Sequence, residues 1–154
     1  MTRDPNEKSG IDNSKPRIIL DTNTFVSGLF FGGAMPCTVV RIAMNHYQLV
    51  CSNETWDELA DVFQRDKFEP KLARGQRLRV LAELTRYIAM VSAKSIVTDC
   101  RDAKDNKFLS LALDADVPTI VAGDKALLDL HPWRGVNIVR LSDFVHEHET
   151  RMNS

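Results

Sequence analysis

Apolar residues in this chain occur as short continuous runs, separated by longer stretches in which they recur at helical intervals. The runs are Arg17–Leu20, Gln48–Cys51, Thr119–Ala122 and Val136–Val139. Runs this short, bounded by polar or turn residues, predict strands buried on both faces. Between them, Thr38–Asn45 carries Val39, Val40, Ala43 and Met44 at helical spacing, and Ser52 caps a helix whose stripe is Trp56, Leu59, Ala60 and Phe63. Leu78–Met90 places Leu81, Leu84 and Ile88 on one side, and Asp102–Ala115 turns Phe108, Leu109 and Ala112 inward. Lys125–Leu130 predicts a short helix and Ile96-Val97 a short edge strand. Thr22-Asn23-Thr24 is rich in capping types and predicts a helix or turn, while the stretch from Phe30 through Gly33 to Pro36 reads as a mobile loop. Strands alternating with helices predict a parallel sheet covered on both faces.

Length, composition and charge narrow the classes. At 154 residues the chain fits one domain with a single core. Residues 1–16 are polar, carry Pro5, Gly10 and Pro16, and read as a flexible arm; 17–145 form the domain and 146–154 a polar tail. No apolar run approaches the ~18 residues of a membrane span, and the N-terminus lacks the apolar block of a secretory signal. Three cysteines without a CxxC pair leave an odd one out, as expected for reduced thiols in a cytoplasm. A formal net charge of -1 gives no global nucleic-acid signature, so any basic surface must be local.

The candidate chemistry lies in acidic residues. Asp21 and Asp124 end apolar runs, where open parallel sheets bind ligands, although each could equally cap the helix behind it. Asp105 precedes Phe108, Leu109 and Ala112 by three, four and seven residues and so shares their inward stripe. A carboxylate on that face is costly unless paired or bound to a cation. Asp102, one turn earlier, reads as the cap, with a supporting ligand role open. Glu58 sits at the edge of its helix's apolar stripe beside Val62, and spacing alone does not separate it from the surface acids around it. His146 and His148 lie in the polar tail without a third ligand, His46 and His131 are isolated, and Trp56 and Trp133 read as packing residues.

The segments IILDTNTFVSGL, SNETWDELADVFQRDKF, CRDAKDNKFLSLALDADV and TIVAGDKALLDL together resemble the PIN-domain nucleases, especially the small VapC-like toxins of toxin–antitoxin pairs. The resemblance spans about residues 17–130. It implies a three-layer α/β/α sandwich with an acidic pocket at the carboxyl edge of a parallel sheet. It matches the family's acids to Asp21, Glu58, Asp105 and Asp124, and places Asn23 and Ser27 where polar residues orient the first acid. It also implies an antitoxin partner and, for some relatives, self-association. Many relatives have a hydroxyl residue shortly before the fourth acid, where this chain has Ala122-Gly123.

Oxygen-only ligands suit Mg²⁺ or Mn²⁺, and the absence of clustered His or Cys argues against zinc. The expected reaction is metal-dependent hydrolysis of RNA phosphodiesters by in-line attack of water. Arg65, Lys67, Lys71, Arg74, Arg77 and Arg79 in Gln64–Arg79 face only Asp66 and Glu69, a local excess that reads either as a solvated connection or as a phosphate grip. Two alternatives remain. A metal-dependent phosphotransfer domain also gathers acids beside parallel strands, but DTN lacks a DxD-type pattern. A non-catalytic PIN-like domain that binds RNA or protein would sit more easily with a missing acid, and all four are present.

Overall fold

A computed structural model describes residues 12–31 and 33–154. Five strands, β1 (Arg17–Leu20), β2 (Gln48–Cys51), β3 (Ile88–Met90), β4 (Thr119–Val121) and β5 (Asn137–Val139), form one parallel sheet in the order β3-β2-β1-β4-β5. Arg17 pairs with Gln48 on one side of β1, and Ile19 pairs with Ile120 on the other.

The strand pleat sends alternate residues to opposite faces, and both faces are buried. Ile18, Leu20, Leu49, Cys51 and Val121 enter one core, whereas Ile19, Val50, Ile120 and Ala122 enter the other. Over the first face lie α1 (Thr22–Val26), α2 (Ala34–His46), α3 (Asn53–Phe63), α4 (Arg74–Leu84) and α7 (Leu141–Met152). Over the second lie α5 (Asn106–Asp114) and α6 (Lys125–Leu128). The expected α/β/α sandwich is therefore present. A π-helical turn at Ser27–Phe31 joins α1 to the segment before α2.

Several elements differ from the sequence expectation. The segment expected as one helix to Met90 ends its α-helix at Leu84, and Ile88–Met90 is the edge strand, paired with Leu49–Cys51. Ile88 fits a helical stripe with Leu81 and Leu84, but its β-branched side chain also fits a pleated surface, and pairing with β2 decides. Ile96-Val97 is then not a strand: Val97 is buried in the second core while Ile96 is 93% exposed. Helix α2 starts at Ala34, before Pro36, because first-turn N–H groups need no intrahelical acceptor. The region before it, expected as a loop through Gly33, is the π-helical turn up to Phe31, and Gly32 lies outside the described residues.

Residues 12–16 and 146–154 are more structured than expected. Residues 1–11 of the expected arm lie outside the described residues, but the rest of it is tied to β2: the Gln48 side-chain carbonyl accepts from Asp12 N–H at 2.6 Å, and Gln48 N–H donates to the Pro16 carbonyl at 2.9 Å. The expected polar tail forms the second half of α7, anchored by buried Phe144 and Val145. Arg151 donates to the Tyr47 hydroxyl at 2.8 Å, and the rings of His148 and His46 lie 4.7 Å apart.

Candidate metal centre

The site begins at the point where the strand order reverses. Strand β1 has β2 on one side and β4 on the other, so the segments leaving β1 and β4 open a crevice at their carboxyl ends. Asp21 directly follows β1 and continues the ladder, its N–H donating to the Val121 carbonyl at 3.1 Å. Its Oδ1 accepts from the Thr24 N–H at 2.9 Å and from the Thr24 hydroxyl, and its Oδ2 accepts from the Gly123 N–H at 3.1 Å. Asp124, after β4, caps α6 by accepting from the Ala126 N–H at 2.8 Å. Each aspartate therefore caps a helix and also faces the crevice. A carboxylate offers about four lone-pair sites, so the two roles are compatible.

A 3-10 turn at Ala103–Asp105 brings in two more acids. Asp105 N–H donates to the Asp102 carbonyl at 3.0 Å, folding Asp102 back toward Asp105. The Asp102 side chain makes no capping bond, contrary to its reading as a cap; it lies instead beside Asp105 and Asp124, with Lys104 Nζ 3.9 Å away. One carboxylate oxygen each from Asp102, Asp105 and Asp124 lie within 4.8 Å of one another. Asp105 is only 7% exposed, and its Oδ2 is buried without a hydrogen-bond partner.

Burial pushes the Asp105 carboxyl up to about 7, and the neighbouring Asp124 and Asp102 add to the rise while Lys107 opposes it. A hydrogen bond from Asp105 holds Asp124 below the ordinary carboxylate range. The pair behaves as a carboxylic acid beside a carboxylate. Burial also raises Asp21, against the hydrogen bonds from Thr24 and Gly123. Three carboxylates with converging oxygens, one of which (Asp105) also carries a buried oxygen without a partner, fit a hard divalent cation.

The pattern of a PIN domain matches residues 17–126 of the chain. The chain belongs to the PIN-domain family. The uncharacterized protein MJ1680 of Methanocaldococcus jannaschii is 24% identical over 152 residues, covering 90% of this chain and 96% of that protein. The crystal structure of VapBC2 from Rickettsia felis, bound to a DNA fragment from its promoter, aligns with a TM-score of 0.55 at 10% identity, over 80% of this chain and 98% of the matched one. The PIN domain of human SMG5 aligns with a TM-score of 0.47 at 16% identity, over 86% and 99%.

Asp21, Glu58, Asp105 and Asp124 all line one cleft of this PIN domain, about 240 Å³ in volume, together with Asn23, Arg65 and Lys104. A larger cavity of about 540 Å³ lies between β5 and α7, lined by Arg140, Asp143 and His146 among others, and contains none of these acids. Size does not decide between them; the converging carboxylates do. Ser27 ends α1 and is not among the residues lining the cleft. Glu58 lies outside the convergent trio and is paired with Lys107. Trp56 and Trp133 pack against the two cores, as the sequence suggests.

The basic window divides. Arg65 lines the cleft, with Asp61 at 3.6 Å, while Lys67, Lys71, Arg74 and Arg79 are exposed outside it. Arg77 is not a surface group: it is 1% exposed, donates to the carbonyls of Phe63 at 2.9 Å and Arg65 at 2.8 Å, and pairs with Glu69 at 2.6 Å. It satisfies the open Phe63 carbonyl at the end of α3, adds a second donor to the Arg65 carbonyl beside Phe68 N–H, and is held away from solvent. Sequence reasoning missed Thr24, Gly123, Lys104 and Lys107. The backbone N–H of Gly123 supplies a hydrogen bond just before the fourth acid, where many relatives place a hydroxyl. A signal for Lys107 did exist: every residue of Phe108–Ala112 is buried, so a lysine heading that run is drawn inward.

Proposed function

We propose that this PIN domain, residues 17–145, is a Mg²⁺- or Mn²⁺-dependent endoribonuclease, acting in the cytoplasm as the toxin of a toxin–antitoxin pair. The observation that carries the reading is the convergence of Asp102, Asp105 and Asp124 at the sheet's reversal point, with Asp105 Oδ2 buried and unpartnered. The toxin role, the antitoxin partner and self-association rest on the sequence resemblance alone. The three cysteines, none of them in a disulfide, suit a reducing compartment.

Asp105, Asp124 and Asp102 would hold the cation, with Asp21 and Glu58 facing the same cleft. A divalent ion bound there supplies Lewis-acid stabilisation of charge on a phosphodiester and makes water a stronger nucleophile at neutral pH. The chain's own residues do the rest. Asp21 is fixed by Thr24 and Gly123 and lends negative charge without needing to move. Asp105, whose carboxyl is pushed up to about 7 while it hydrogen-bonds Asp124, would have to be deprotonated to serve as a ligand, so cation affinity at this site would rise with pH. Arg65 and Lys104 both line the cleft and offer cations to backbone phosphates, contacts that position RNA without selecting sequence. Val62 and Phe108 close part of the wall with apolar surface.

Incubation of the purified protein with structured RNAs, with Mn²⁺, with Mg²⁺ and with chelator, tests the reading. Cleavage is expected only with metal, and Asp105→Asn or Asp124→Asn should lower the rate by at least about 100-fold. Intact RNA in every condition would refute it. Turnover of a small phosphate ester would then favour phosphotransfer, and RNA retention without cleavage would favour a binding domain.

A further inference from the structure

Behind the wall of the cleft lies a nearly buried cation. Lys107, the second residue of α5, sends its ammonium inward, and its side chain is only 8% exposed. Lysines almost never lie this deep without partners. Lys107 Nζ pairs with the Glu58 carboxylate, donates to the Lys104 carbonyl and lies 5.5 Å from the centre of the Phe108 ring. Glu58, Lys104 and Phe108 all line the cleft, so the ammonium is held against its wall rather than reaching out to solvent.

The carboxylates around it are not equivalent. Asp102, Asp105 and Asp124 converge, and Asp105 is the residue whose Oδ2 is buried without a partner. Asp21 stands outside the group and is held in place by Thr24 and Gly123. Glu58 also stands outside, and its charge is already matched by Lys107. A metal ion recruiting Glu58 would have to break this pair and leave a mostly buried ammonium without its counter-charge, which is strongly unfavourable.

We propose that Lys107 takes the place of a second metal ion: the cleft binds one divalent cation on Asp102, Asp105 and Asp124, and Lys107 fixes Glu58 as a positioning group rather than a ligand. This rests on the metal-dependent reading of the preceding subsection. It makes the number of bound ions a property of one lysine, and that number can be counted without any nuclease assay.

The test is the number of Mn²⁺ ions bound per full-length chain, from equilibrium dialysis and the electron paramagnetic resonance of bound Mn²⁺. The wild-type protein is expected to bind one ion, and Lys107→Arg, which keeps the charge, also one. Lys107→Met, which keeps the length and removes the charge, is expected to bind two, with the broadened spectrum of neighbouring Mn²⁺ ions. Two ions on the wild-type protein, or one on a folded Lys107→Met variant, would overturn the inference while leaving the metal-dependent reading intact. Failure of the wild-type protein to bind Mn²⁺ would overturn both. Should Lys107→Met not fold, Lys107→Gln, which also removes the charge, is counted in its place, and one ion on that variant would overturn the inference.

Discussion

Asp105→Asn is expected to stabilise the metal-free protein while destroying its cation site. Burial and the neighbouring Asp124 and Asp102 raise the Asp105 carboxyl from 3.8 to about 7. Its contribution to stability is therefore complete below the unfolded value near 3.8 and is lost as pH climbs through about 7, because the unfolded chain ionises freely while the folded one resists. A rise of that size corresponds to about 4 kcal/mol at full ionisation. That figure is a ceiling, because Asp124 shifts the opposite way, held low by the hydrogen bond from Asp105. An asparagine amide has nearly the same shape, still donates to Asp124 and carries no charge.

The variant should therefore be more stable than the wild-type protein by about 1–3 kcal/mol at pH 8, by about 0.4–1 kcal/mol at pH 5, and equal to it only at about pH 3, below the unfolded value. Urea denaturation in chelator at several pH values, followed by circular dichroism, reads the difference. Asp21, also raised by burial, remains in both proteins and gives them a shared slope of the same sign. Mn²⁺ at 100 times its dissociation constant should then add about 2.7 kcal/mol to the wild-type protein and nothing to the variant. A variant less stable than wild type at pH 8, or stabilised equally by Mn²⁺, would refute the argument that Asp105 is an uncompensated charge awaiting a cation.

Two further predictions concern residues outside the acids. Arg77→Met should cost about 2–4 kcal/mol in urea denaturation, because the Phe63 carbonyl loses its donor, the Arg65 carbonyl keeps only Phe68 N–H and Glu69 loses its counter-charge, whereas Arg79→Ala should stay within about 0.5 kcal/mol. Gly28→Ala should cost about 1–3 kcal/mol and lower the melting temperature, since its new methyl would stand 2.6 Å from Val40 Cγ2 and 2.7 Å from the Pro36 carbonyl oxygen.

How much of this was legible in the sequence depended on whether a property is carried by neighbours in the chain or by distant segments. Strands β1 and β2 match their expected limits because a buried parallel strand is a local apolar run with polar ends. β3 was hidden because Ile88 satisfies two periodicities at once, and only β2, some forty residues earlier, chooses between them. Asp21 and Asp124 were legible for the same reason as the strands, since the end of an apolar run is a position in sequence, and Asp105 because it shares a helix's inward stripe; Glu58 was legible only through the family resemblance. Which of them meet was not legible: Asp102 joins the trio through a 3-10 turn that no spacing rule announces, and Glu58 stands apart because Lys107 claims it. The basic residues show the limit most clearly. Arg77 and Lys107 are the cations that sequence reading assigns to solvent or leaves unremarked, yet both are buried, each drawn in by acceptors that another segment supplies: the end of α3 and Glu69 for one, Glu58 for the other. A local excess of positive charge therefore says little about what faces a substrate until the carbonyls and carboxylates that compete for those cations have been located in space. Here that competition leaves Arg65 and Lys104 as the cations lining the cleft.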